Sequence, residues 1–389
     1  MAIVCEYRVI SSMLIYILKK KYILVEVDMF LAWNEIKYSK TRFALIIGVI
    51  ILVSYLVYFL TGLAYGLAQD NRTSVDKWEA DAIVLTDESN ANIGMSMMPM
   101  SERDQVEADE VAILGQAPNV VRQKGETSEE AKINVTFFGI EADDFIMPEV
   151  VEGEEFSKDY EVVADISLRE EEGIELGDEL NLAGSDIEVI VVGFTEDAKF
   201  NVAPVLYTTV STYQDVRFET IDDSDEGRIS GLIVRNSSVD DIEIENDDLV
   251  LYTINEYIEE IPGYMAQLLT FGLMIGFLIV IAAVVIGIFM YVLTVQKSSM
   301  FGVMKAQGIP TGYIAKSVVM QTFLLSLMGT LTGLGLTVLT AYFLPATVPY
   351  QSNIYFIMGI SLLLIVFAVL GAFFSVRTIV KIDPLEAID

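Results

Sequence analysis

Hydrophobic runs and alternating stretches divide the chain. Four apolar runs, 43–68, 264–295, 314–344 and 354–376, are long enough to cross a bilayer as helices, which takes about 20 residues. The second and third exceed that length, so they are expected to tilt or to project beyond the bilayer. Between the first two runs, over 70–262, the period changes. "DAIVLT" (81–86), "NVTFFGI" (134–140), "EVVADI" (161–166) and "IEVIVVGF" (187–194) are short β-rich runs. "VLYTTVSTYQDV" (205–216) reads as a strand followed by a turn or helix start. Residues 166–180 read as a helix closed by Gly173, then a turn at Gly177–Asp178. The expected fold is membrane α-helical, with four transmembrane helices and a large mixed α/β extracellular domain inserted between helices 1 and 2.

Ahead of the first run, "MFLAWNEIKYSKTRF" places Phe30, Trp33, Ile36 and Lys37 near one helical face. This predicts a cytoplasmic amphipathic helix over 29–42, lying on the inner leaflet. Residues 1–28 fit less well. Their apolar stretch is too short to span, and Lys19–Lys21 follow it, where a secretory signal places charge first. They read as an upstream extension, with Met29 as the true start, or as an extra interfacial helix.

Charge adds an orientation. The chain is 53% hydrophobic with a mean hydropathy of +0.49, yet carries a formal charge of −32. That combination fits a chain that is part membrane-embedded and part acidic and water-facing. Roughly fifty acidic residues fall within 70–262 against about a dozen basic ones. Elsewhere the basic residues gather at run ends: Lys37, Lys40 and Arg42; Lys297, Lys305 and Lys316; Arg377 and Lys381. The 342–353 loop has no charge. Positive residues favour the cytoplasmic side, so both termini, including the 377–389 tail, and the 296–313 loop are expected inside. The 70–262 domain and the 342–353 loop are then expected outside, in a multi-pass plasma-membrane protein. The acidity of the domain either solvates it or attracts cations and basic partners.

The chemistry that is missing narrows the function. The chain has no histidine, which excludes histidine catalysis and histidine metal sites. It has no G-x-x-x-x-G-K-[ST] loop to cradle a nucleotide phosphate. Its carboxylates follow no motif spacing, and its single cysteine, Cys5, allows no intrachain disulfide. No catalytic residue, metal site, intrinsic cofactor or nucleic-acid partner is expected, and the chain is not expected to be an enzyme by itself.

Small residues recur four apart in the spans: Gly62 and Gly66, Gly272 and Gly276, Gly329 and Gly333. Such pairs let helices approach closely, which predicts a tight four-helix unit, plausible with a homodimer partner. Ionisable residues are nearly absent from the span interiors, against a proton or ion relay. Tyr55, Tyr58 and Tyr65 recur along the first run, and Tyr65 and Tyr264 fall near the outer boundary. They form either an interfacial aromatic belt or a polar-tipped wall for a flat amphipathic ligand.

Several stretches resemble the FtsX/MacB-type permeases of ABC transporters: "FLAWNEIKYSKTRF", "ELGDEL" with "IEVIVVGF", "VQKSSMFGVMKAQGIPTGYI" (295–314) and "VKIDPLEAI" (380–388). "TGLAYGLAQDN" and "YVLTVQKSSMFGVMKAQGI" are most similar to the haem-exporting HrtB family of Gram-positive bacteria. The resemblance implies an efflux permease that pairs as a homodimer with a separate ABC ATPase, which binds the ATP on the cytoplasmic side. It implies a mechanotransmitter without a conventional channel, taking cargo from the membrane or the outer leaflet. Lys297, Met300, Phe301, Met304 and Lys305 would form the amphipathic segment that docks in the ATPase. Haem is the favoured cargo. The other readings are a relative exporting a peptide, antibiotic or lipid, and an FtsX-like scaffold driving an extracellular partner.

Against that background "NIGMSMMPMS" (92–101) gains a candidate role. Thioethers are soft ligands for haem iron and adaptable walls for apolar cargo. The resemblance places cargo near the outer ends of the first two spans. The candidates are Met95, Met97, Met98 and Met100, with Tyr65, Glu79 and Tyr264 near the mouth. The bland alternative is a surface loop or a small apolar hairpin.

Overall fold

The computed structural model describes residues 40–381 except 127, 130 and 346. The expected 29–42 helix, apart from its last three residues, the 1–28 segment with Cys5, and residues 382–389 of the tail lie outside the described residues. The described chain divides into a helical unit and a sheet unit.

The helical unit is built on four long helices: α1 (Lys40–Asp70), α5 (Tyr264–Gln296), α7 (Thr311–Tyr342) and α8 (Ile354–Lys381). All four are long and apolar enough to cross a membrane. Their apolar side chains point all round, as lipid demands, so close packing has to come from small and hydroxylated residues. A Cβ on Gly329 would collide with Ile50 of α1, and one on Gly333 with Ser54. Ser54 uses the approach, its hydroxyl donating to the Gly329 carbonyl at 3.3 Å. Gly287 and Gly371 bring α5 and α8 together, a Cβ on Gly371 standing 3.0 Å from the Gly287 Cα. Tyr58 of α1 and Ser361 of α8 share a hydroxyl hydrogen bond of 2.6 Å. Gly62 is buried, whereas Gly272 and Gly276 have no neighbouring element among the described residues within 4 Å of where a Cβ would stand.

In the sheet unit the alternating runs become β1 (Ala82–Thr86), β2 (Glu110–Gln123), β3 (Ile133–Ile140), β4 (Glu161–Asp165), β5 (Glu179–Leu182), β6 (Glu188–Thr195), β7 (Ala203–Thr209), β8 (Gly231–Arg235) and β9 (Leu249–Thr253). Helix α2 (Ser167–Glu172) ends on Gly173 at φ +72°, the left-handed cap that glycine supplies without strain. Helix α3 (Val210–Phe218) starts on a Thr209 cap, and α4 (Ile254–Glu260) on a full capping box of Thr253 with Glu256.

Pairing closes a ring. Strands run β2–β3–β7–β4–β6–β5 and back to β2. Closure pairs the ring strands on both sides over most of their length, the start of β3 before Thr136 excepted, and the interior is filled by Phe137, Leu180, Val191, Phe194 and Leu206, with Tyr213 of α3. The first half of β2 leaves the ring to form a four-stranded sheet in the order β2–β8–β1–β9. One core cluster on that sheet holds Trp78, Phe138, Tyr207 and Tyr257, and another holds Val84, Met98, Ile113 and Ile229. The 14-residue β2 serves both halves, which is why the unit is a single body.

Candidate functional site

The last turn of α1 and its continuation are held by a joint that nothing in the sequence pattern marks. A helix ends with carbonyls that lack an internal partner. Here the Asp70 carbonyl accepts from the Val202 N–H at 3.0 Å, and the Asn71 carbonyl from the Asn201 N–H at 3.1 Å. Asn201 and Val202 form the tip of a tight hairpin closed by Phe200 pairing with Ala203. Both have positive φ, +49° and +70°. Asparagine tolerates that region, but a β-branched residue there is strained. Thr73 reinforces the joint, its hydroxyl accepting from the Lys199 N–H at 2.9 Å and donating to the Lys199 carbonyl at 3.2 Å.

Charge completes it. The Lys199 Nζ lies 3.4 Å from Asp70 and 3.2 Å from Glu171. Burial works against its charge, but the two carboxylates outweigh burial and hold its ammonium above the usual range. Nearby, Asn71 donates to the Gln267 side-chain oxygen at 3.3 Å, so the ends of α1 and α5 share a polar contact. Arg72 pairs with Asp76. The backbone of the uncharged loop at Pro349 lies so close to Gly66 that any side chain there would collide with it.

The mouth candidates stand in different surroundings. Tyr264 is 9% exposed and shares an apolar core with Trp78 and Tyr257. Glu79 follows Trp78 at φ +47°, its carbonyl accepting from Arg235 at 3.0 Å. Tyr65 is half-buried on α1.

The methionines do not form one four-thioether face. Met98 is 3% exposed, pairs in register with Ile229 and packs among Val106, Ile113 and Leu232. It fills the core and cannot reach a cargo. Met100 is half-buried on the same core and borders a cavity of about 480 Å³ with Glu141, Asp143, Asp222 and Asp223. Beneath that acidic rim, burial and the charge of Glu141 push Asp144 up to about 6. Met95 and Met97 are 69% and 49% exposed. The alternation of exposed and buried positions from 95 to 98 is that of an extended segment, so a run of soft residues in sequence is split between two environments.

The 296–313 loop contains a helix, α6 (Ser298–Ala306). Phe301 is 5% exposed and packs with Phe43, Ile314 and Val318. It therefore does not belong to the docking face expected for it. Met304 also leans on that core, and the Lys297 ammonium lies 5.1 Å from the Phe43 ring centroid. Met300 and Val303, each 43% exposed, form the outward apolar face, with Lys305 in the last turn.

Four helices long and apolar enough to cross a membrane carry a sheet domain inserted between the first and second, and residues 272–384 match the FtsX-like permease C-terminal family. Over those residues the chain is similar to FtsX-like permeases. It is 26% identical over 364 residues to the hemin transport system permease protein HrtB so named in Staphylococcus epidermidis (strain ATCC 35984), covering 92% of this chain and 98% of that one. It is 23% identical over 368 residues to an uncharacterized ABC transporter permease of Mycobacterium tuberculosis (strain H37Rv), covering 92% and 99%. Among solved structures, the periplasmic region of MacB from Actinobacillus actinomycetemcomitans is 12% identical with a TM-score of 0.33, over 45% of this chain and 89% of that one.

Proposed function

We propose that the chain is the permease subunit of an efflux system in which a separate ATPase drives export of haem from the membrane or its outer leaflet. The observation that carries this reading is similarity along nearly the whole length of proteins named for hemin transport. In this reading both termini and α6 are cytoplasmic, the sheet domain is extracellular and two copies pair within the lipid. The ATPase docks on the outward face of α6 formed by Met300 and Val303, flanked by Lys297 and Lys305. Its stroke reaches α5 through the short link between the helices. The joint at Lys199 then lets the end of α1 and the sheet domain move as one piece. Cargo meets the protein near Tyr65, Glu79 and Tyr264, with the exposed thioethers of Met95 and Met97 as soft contacts for the iron.

Met300→Asp tests the coupling, because it places a charge on the apolar docking face while leaving the buried Phe301 untouched. An ATPase subunit should co-purify with the unaltered chain from its own membranes, and the variant should lose it. Equal recovery of the ATPase with both chains, or none with either, contradicts the reading.

A further inference from the structure

We propose that the sheet domain carries a second binding site, for an extended, uncharged peptide segment that adds as a strand to β3. The site is a cavity of about 530 Å³, within the range of small-ligand pockets. Its polar wall is made of carboxamides and a hydroxyl: Asn92, Gln116, Asn119, Asn134, Asn201 and Thr136. None of its 16 lining residues is charged. About one residue in four of 70–262 is acidic, so an uncharged patch of this size stands apart from the surface around it. Carboxamides offer a donor and an acceptor together, which matches the peptide group and gives no grip on an ion.

The backbone supports the same ligand. β3 pairs with β2 from Ile133 to Gly139, but its ladder with β7 begins only at Thr136, opposite Val205. Residue 204, the next on that side, is proline and has no N–H to extend the ladder toward Asn134. The Asn201–Val202 turn then carries the chain into its hairpin with Phe200. The start of β3 is thus a short strand edge opening on a neutral cavity, the arrangement that strand addition uses. Gln116, 5% exposed, lies at this wall, and its side-chain oxygen has no partner among the described residues, an acceptor that a buried site normally satisfies. Met95, 69% exposed, lines the cavity and supplies an adaptable apolar contact for varied side chains.

The site reports on the membrane-proximal elements. Asn201 lies in the hairpin that caps the end of α1. Tyr257 and Pro262, which precede α5, line the same cavity. Occupancy of the cavity would bear on both connections at once.

The test uses the full chain in lipid nanodiscs, presented to an immobilised library of capped hexapeptides. Retained peptides should lack charge at their central positions, and methylating alternate backbone nitrogens should abolish retention. Asn119→Asp with Asn134→Asp keeps the side-chain shapes but adds two negative charges, and should weaken binding about tenfold or more. Pro118→Trp, at an exposed lining position outside the haem reading, should block the mouth and gives a second readout if the double variant unfolds. Retention of no peptide above the level of the double variant, retention of centrally charged peptides, or indifference to N-methylation would each overturn the proposal. Haem absorbance is recorded separately, so loss of peptide binding with haem binding intact leaves the export reading standing.

Discussion

The helical and sheet units meet the same requirement, a filled interior, by opposite means. In the helical unit nearly every side chain is apolar, so apolarity cannot say which face meets which. Specificity comes from where side chains are missing, at Gly329 and Gly333 against Ile50 and Ser54, and from hydroxyls that bond across or along the helices. In the sheet unit, surrounded by charge, apolarity is informative again. Alternate residues turn into a closed ring or onto two cores, and ion pairs lie around them. In a membrane, shape selects the partner; in water, burial does. The joint around Asp70 belongs to neither pattern. It is a half-buried cluster of one ammonium and two carboxylates with a strained turn, sited where α1 leaves its apolar run.

That contrast can be broken most severely at the joint. Lys199→Met leaves Asp70 and Glu171 without their cation, and should cost about 3 kcal/mol, seen in thermal unfolding followed by tryptophan emission. Protonating Asp70 relieves the loss, so the gap from the unaltered chain should be widest at pH 8 and shrink toward pH 5. Gly333→Leu drives a side chain into Ser54 and should cost about 2–3 kcal/mol, read as loss of a monodisperse detergent-solubilised protein. Gly272→Leu, open in this chain, should do little to the monomer. Met98→Ala removes a core side chain and should cost about 2 kcal/mol, while Met95→Ala leaves the melting temperature unchanged; equal effects would return the two methionines to one environment.

Smaller effects sharpen the picture. Val202→Gly relieves the left-handed valine and should stabilise the domain by about 1 kcal/mol, provided the hairpin keeps its hold on Asp70 and Asn71. Asp144→Asn tests the acidic rim. A carboxyl raised to about 6 when folded contributes stability that is full below about pH 4 and is lost as pH rises through about 6. The variant should therefore flatten the change in stability between pH 4 and 6, measured by unfolding at a series of pH values.

Much of the fold was legible in the sequence because each period was clean. Four apolar runs stand for four long helices, "IEVIVVGF" alternates as the first half of β6 does, and "EVVADI" is a short run that β4 buries almost whole. The long β2 was not legible, since Gly115 and Pro118 interrupt its pattern, and a proline normally argues against an interior strand. The ring closure was hidden too, because it depends on β3 meeting β7 and β5 meeting β2, pairs distant in sequence. Of the candidate site, the methionine cluster was visible as composition, but its division was not: a one-residue step along an extended segment takes Met97 to solvent and Met98 to the core. The Lys199 joint had no signal, for a lysine in an acidic domain looks like any other until the fold places it beside the end of α1.

The central proposal is that this chain handles haem. The most direct measurement is a haem titration of the purified full chain, followed by absorbance, beside Met95→Leu with Met97→Leu. The account predicts a saturable Soret shift, weakened in the double variant, with Met98→Leu behaving as the unaltered chain does. Absence of any saturable shift in the unaltered chain would contradict it.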